Sequence, residues 1–160
     1  MALLYATQAP HIRLFVLLAL HTAAHTGALL SLSWEQVDLN SGLIYLGRTR
    51  GKKRRATVPI TDVLRDALEE AAQAATSEWV IEYAGHPVRS IKSGFRAAVR
   101  RAGLEGVTPH ILRHTAATWM VQSDVPLALV AAYLGNSVEM VARVYGHHSP
   151  SYAESGRGVI

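Results

Sequence analysis

The stretch from Thr108 to Tyr145 carries three helix patterns in succession, and this commits the chain to a mainly helical fold. Thr108-Pro109 sets a threonine at an N-cap and a proline at the first helical position, so a helix is expected from there through Val121. Asp124 to Leu134 is expected to form a second helix ended by Gly135, and Val138 to Tyr145 a third. Within the first, His110 and Arg113 stand three residues apart and share one helix face. Tyr145 follows about thirty residues after Arg113.

The rest of the chain alternates helix patterns with one hairpin. Ile12 to Ala24 reads as an amphipathic helix, with Leu14, Leu17, Leu18 and His21 at helical spacing, and a short helix starts at Thr26 or Gly27 and runs through Ser33. Val37 to Asn40 leads into a hairpin whose strands are Leu43 to Leu46 and Ala56 to Ile60. Thr61 is expected to cap a helix with Asp62 in its first turn and Arg65, Leu68 and Ala72 along it. Glu78 to Tyr83 reads as a third short strand, Gly85-His86-Pro87 as a turn, and Ser90 to Ala102 as a helix stopped by Gly103. The expected class is mainly α with a small antiparallel β-sheet (α+β). One domain fills residues 1–150, and the polar, Gly-rich residues 151–160 form a mobile tail.

Composition narrows the partners. At 160 residues, 49% of them hydrophobic and evenly spread, the chain fits one domain with a real core. The apolar run Leu14 to Leu20 is too short for a membrane span, so no membrane partner is expected. No basic region precedes the first apolar residues, as a secretory signal would require. The absence of cysteine excludes disulfides and thiolate metal sites and fits a reducing compartment, so a cytoplasmic location is expected. The net charge of +4 suits nucleic acid, and the clustering of that charge says more. Six of the eight residues Arg48-Thr49-Arg50-Gly51-Lys52-Lys53-Arg54-Arg55, in the hairpin turn, are cationic.

Four segments in order resemble the catalytic domain of the tyrosine recombinases, the phage-integrase family. Thr22-Ala23-Ala24-His25-Thr26-Gly27-Ala28-Leu29-Leu30-Ser31-Leu32-Ser33-Trp34 is similar to the family's first box. The hairpin ending in Thr57-Val58-Pro59-Ile60 resembles the strand pair that carries the catalytic lysine. His110-Ile111-Leu112-Arg113-His114 matches the His-x-x-Arg box, and Leu134-Gly135-Asn136 with Tyr145 nine residues later resembles the last box. Two positions depart from the pattern: the family's first catalytic arginine falls on His25, and its later histidine (sometimes tryptophan) falls on Asn136.

The resemblance implies site-specific DNA recombination or integration, for a phage or other mobile element, by strand cleavage and rejoining without metal or cofactor. Tyr145 would be the nucleophile, forming a 3′-phosphotyrosyl bond that keeps the phosphodiester's energy for rejoining. Arg113 would clamp the scissile phosphate, because its planar fork donates parallel hydrogen bonds and stays charged. His110 would act as general base or phosphate donor. Lys52, with Lys53 the near alternative, would protonate the leaving 5′-oxygen, and Arg48, Arg50, Lys53, Arg54 and Arg55 would contact DNA. His25 and Asn136 cannot reproduce a bidentate charged fork, so cleavage is expected to be weakened by orders of magnitude with DNA binding partly retained. The other reading is a catalytically inactive DNA-binding or assembly module derived from a recombinase.

Plainer roles exist for the same residues: a salt bridge for Arg113, a core position for His110, a half-buried tyrosine at Tyr145 and a solvated charge run for Arg54 and Arg55. Tyr133, on an apolar face with Val130 and Leu134, reads as an ordinary half-buried tyrosine. His114 is expected to be structural, bonding to backbone and fixing its helix. His21 and His25 stand four residues apart, as do His110 and His114, but no third ligand is marked beside either pair, so no metal is expected. Family members assemble as tetramers on two duplexes, with the C-terminal segment docking on a neighbour, so a homo-tetramer on double-stranded DNA and a monomer alone are expected. They also carry an N-terminal helical domain. Only about ten residues precede the first expected helix here, which points to a fragment or truncated product.

Overall fold

The computed structural model describes residues 2–47 and 56–150. The basic turn at 48–55 and the tail at 151–160 lie outside the described residues. Eight α-helices and two small antiparallel sheets are described, which is the mainly helical α+β class expected.

Helix α2 (Pro10–Thr22) is the axis of the fold. Its pattern suggests one apolar face, yet Ile12, Leu14, Phe15, Val16, Leu17, Leu18, Ala19 and Thr22 are all buried. The reason is tertiary: α2 is covered by α1 (Ala2–Ala6), α3 (Thr26–Leu30), α4 (Asp62–Ala74) and α6 (Pro109–Gln122) on different sides. Helix α1 occupies residues that carried no helix expectation. Helix α2 ends at Ala23, which adopts a left-handed conformation at φ 50° and returns its N–H to the Ala19 carbonyl.

The first sheet runs β1 (Val37–Asp38), β2 (Leu43–Leu46), β3 (Ala56–Pro59), antiparallel throughout, with Leu43 opposite Pro59 and Leu46 opposite Ala56. Ile44, Leu46 and Val58 point into the core. Thr61 accepts a hydrogen bond from the Leu64 backbone N–H and caps α4, as its sequence position foretold.

Several boundaries differ from the sequence reading: α2 starts two residues before Ile12, α3 ends at Leu30 rather than Ser33, and the helix expected from Ser90 starts at Lys92. The third strand shrinks to β4 (Glu82–Tyr83), and His86–Pro87 is not a turn but its partner strand, β5. The turn is Ala84-Gly85, where both residues have positive φ (50° and 77°), the signature of a two-residue primed hairpin. The stretch just before β4 pairs elsewhere: Trp34 donates its backbone N–H to the Glu78 carbonyl, and Val80 donates to the Leu32 carbonyl. The next-to-last helix, α7 (Leu127–Leu134), begins three residues later than expected, because Asp124 takes φ 58° and Pro126 occupies the cap.

Apolar side chains form two cores. The larger joins α2, α3, the first sheet, α4 and α5 (Lys92–Arg101), with Phe15, Leu18, Leu29, Ile44, Leu64 and Leu68 fully enclosed. The smaller lies among α6, α7 and α8 (Val138–Tyr145), from Ala116, Ala117, Val121, Val130, Ala131, Leu134, Val141 and Tyr145, and it reaches Ala23 at the end of α2.

Candidate active site

Arg113 is buried against the smaller core, only 7% exposed. Its Nη1 donates to the Ala23 carbonyl and its Nη2 to the Leu134 carbonyl at 2.9 Å. Those carbonyls stand at the C-terminal ends of α2 and α7, where partial negative charge collects, so a cation is favoured there. A guanidinium carries five N–H donors, so two bonds do not exhaust it. Burial pulls its pKa below the ordinary arginine value and the nearby Tyr145 phenol pushes the other way. An arginine so placed remains charged at neutral pH.

Ala23 is two residues before His25, and Leu134 is two residues before Asn136. Arg113 therefore ties together the two backbone segments that carry these positions. His25 is exposed at the N-cap of α3, and Asn136, half-buried, follows the left-handed Gly135 that closes α7. A second tie runs parallel: the Tyr133 hydroxyl donates to the His21 carbonyl at 2.7 Å, and burial raises this phenol's pKa.

Tyr145 closes α8 and is buried, with its hydroxyl 2.6 Å from His114 Nδ1. Burial pushes the phenol above its usual value of about 10, while the Arg113 charge pulls it down. The resting phenol is thus protonated at neutral pH and needs a proton acceptor before it can attack anything. His114 Nε2 lies 2.9 Å from His110 Nε2, with the two rings edge to face. Burial lowers the pKa of His114 first, and the neighbouring His110 and Arg113 lower it further.

The expectation for His114 needs correction. It does not bond to backbone; it bridges Tyr145 and His110. The spacing of four residues from His110 already placed both rings on one face of α6. What the sequence lacked was the return of α8, which brings Tyr145 over that face.

The fold thus gathers His110, Arg113, His114 and Tyr145, with the backbone of His25 and Asn136 alongside. Lys52, Arg48, Arg50, Lys53, Arg54 and Arg55 lie outside the described residues. Beside His110, a depression of about 370 Å³ is lined by Thr26, Arg89, Ser90, Lys92 and Thr108 among others. Arg89 and Lys92 attracted no notice in the sequence, since each is a lone cation on its own segment. Among the described residues, no three metal-ligating side chains come together, and no single helix is long and apolar enough to cross a membrane.

The site can hold an anion on a fixed guanidinium and present a phenol with a nearby base. Comparison with known proteins agrees with the fold: residues 2–151 match the model of the phage integrase family. The chain belongs to the phage integrase family. Among its integrase-family relatives, the integrase of Salmonella phage P22 is 29% identical over 150 residues, covering 84% of this chain and 38% of the relative. The tyrosine recombinase XerC of Chlamydia caviae is 32% identical over 139 residues, covering 72% of this chain and 40% of the relative. The chain therefore spans about two fifths of the length of these curated relatives. Among solved structures, the catalytic domain of bacteriophage HP1 integrase superposes with a TM-score of 0.73 at 28% identity, covering 98% of this chain and 88% of that one. The XerA recombinase shares the fold at a TM-score of 0.80 and 22% identity, covering 96% of this chain and 58% of the other.

Proposed function

We propose that this chain is the catalytic domain of a site-specific DNA recombinase that cleaves and rejoins double-stranded DNA through a 3′-phosphotyrosyl bond at Tyr145. The observation that carries the reading is the buried Arg113 beside the Tyr145 hydroxyl, with two histidines in hydrogen-bond line from that hydroxyl. Arg113 holds the scissile phosphate by its remaining donors, in a site whose low polarity strengthens each bond. Tyr145 attacks phosphorus, the 5′-oxygen leaves with a proton from Lys52, and reversal of the step rejoins the strand. Double-stranded DNA is the substrate, and a homo-tetramer on two duplexes is the working assembly.

His25 and Asn136 weaken this chemistry. A preorganised donor to a developing anion is typically worth a few kcal/mol, roughly a hundredfold or more in rate. His25 supplies at most one hydrogen bond per ring nitrogen, and Asn136 supplies no charge. The chain is a slowed recombinase whose DNA affinity is partly kept.

Covalent trapping tests this. The protein is incubated with nicked suicide DNA, and an adduct that survives denaturant is sought. Tyr145→Phe provides the blank, and His25→Arg with Asn136→His provides the restored clamp. The expected result is a slow adduct that depends on Tyr145 and accelerates by two orders of magnitude or more in the double variant. An adduct seen only from the double variant would instead favour a DNA-binding module that has lost its chemistry, a reading that the substituted positions His25 and Asn136 themselves support.

A further inference from the structure

Tyr145, His114 and His110 form an unbroken line of hydrogen-bonding atoms: phenol oxygen to His114 Nδ1 at 2.6 Å, then His114 Nε2 to His110 Nε2 at 2.9 Å. We propose that His114 takes the proton from the Tyr145 hydroxyl and passes one on to His110, so that the nucleophile is activated through a two-histidine path. The inference rests on the reading of Tyr145 as the nucleophile. It gives a role to His114, which touches the reacting oxygen, and it places His110 one step removed from that oxygen.

The proton count fixes the tautomers. A neutral imidazole carries one N–H. For the phenol to donate to His114 Nδ1, the His114 proton must sit on Nε2, where it donates to His110 Nε2. The proton of His110 must then sit on Nδ1. On attack, the phenol O–H bond breaks and its proton goes to His114 Nδ1, while the His114 Nε2 proton moves to His110 Nε2. His114 ends neutral with its proton on Nδ1, and His110 becomes the imidazolium. The phenolate electron pair forms the bond to phosphorus, the bond to the 5′-oxygen breaks, and that oxygen takes a proton from a lysine cation. No proton or electron is left over.

Position explains why two histidines are used rather than one. His114 is flanked by Arg113 and His110 on α6 and faced by Tyr145 from α8. A lasting positive charge on His114 would sit against the Arg113 guanidinium. His110 is exposed at the first turn of α6. Moving the charge outward to His110 puts it where water and DNA phosphate stabilise it.

Two measurements on the whole chain test the path. The first is nitrogen-detected NMR of the imidazoles in the free protein at neutral pH. It should find His114 protonated on Nε2 and His110 on Nδ1. His114 protonated on Nδ1 would reverse the hydrogen bond to Tyr145 and overturn the proposal.

The second is the rate of adduct formation on nicked suicide DNA, in the native chain and in the His25→Arg, Asn136→His background. His114→Asn keeps an acceptor oxygen where Nδ1 was but cannot relay a proton. It should slow the adduct about a hundredfold or more and remove the acid limb of the rate against pH. DNA with sulfur replacing the bridging 5′-oxygen needs no acid for its leaving group, and it should not rescue this variant. Rescue by sulfur, or a rate unchanged by His114→Asn, would remove the path while leaving the Tyr145 reading intact. No adduct dependent on Tyr145 in either background would remove both.

Discussion

The two cores of this molecule are built from different materials. The larger encloses bulky aliphatic and aromatic side chains on every side of α2, and its stability is a matter of volume and area. The smaller is lined by alanines, valines and one leucine around Tyr145. Small side chains let α6, α7 and α8 approach closely, but each buries little apolar area. The smaller core is held as well by polar ties: Arg113 to Ala23 and Leu134, and Tyr133 to His21. The region that carries the candidate chemistry thus leans on the groups that would perform it, whereas the larger core serves as its platform.

The contrast predicts unequal responses to substitution. Leu18→Ala, in the larger core, should have the largest effect on stability, about 2–5 kcal/mol, and lower the melting temperature by roughly 10 °C. A drop of only a degree or two in thermal denaturation would mean that this core can collapse onto the hole. Arg113→Met keeps much of the stem's packing but leaves two buried carbonyls without a donor. A loss of about 2–4 kcal/mol is expected, with faster amide exchange in α7 than in α4. Equal acceleration of both helices would erase the distinction between the cores.

Tyr133→Phe removes one hydrogen bond and should cost about 1 kcal/mol while leaving the rate of adduct formation in place. Tyr145→Phe should abolish the adduct, so the pair separates a supporting tyrosine from a reacting one.

The smallest effect is on pH. Burial is the leading cause that lowers the pKa of His11, His21 and His114 below the ordinary imidazole value of about 6.5. The unfolded chain then binds more protons than the folded one as pH falls through that range. Stability should be full above about pH 7, decline as the pH drops below 6.5, and level off once the folded histidines also titrate. His21→Gln should make that decline shallower, and an unchanged melting temperature from pH 7 to pH 5 would contradict the assignment.

Much of the architecture was legible in the chain. Thr61 and Gly135 mark helix ends because capping chemistry is local, and Pro109 opens α6 although the Thr108 side chain makes no cap bond. The strand pair from Leu43 to Ala56 through Pro59 was readable for the same reason. The small hairpin was not, because Ala84 in a left-handed conformation is an uncommon choice for a primed turn. The all-round burial of α2 was hidden too. Burial depends on how many neighbours a helix acquires, and its own periodicity does not record them.

The candidate site divides in the same way. His110, Arg113 and Tyr145 could be named from motif order, and His25 and Asn136 from where that order breaks. Sequence alone determined the helical class, the family pattern and the identity of these side chains, since each depends on local spacing and residue type. Only the tertiary structure decided that Arg113 spends two donors closing α2 and α7, and that His114 stands between Tyr145 and His110. Those contacts join residues 90, 21 and 31 positions apart. No local rule sets a distance across such separations; it is set by how the helices pack.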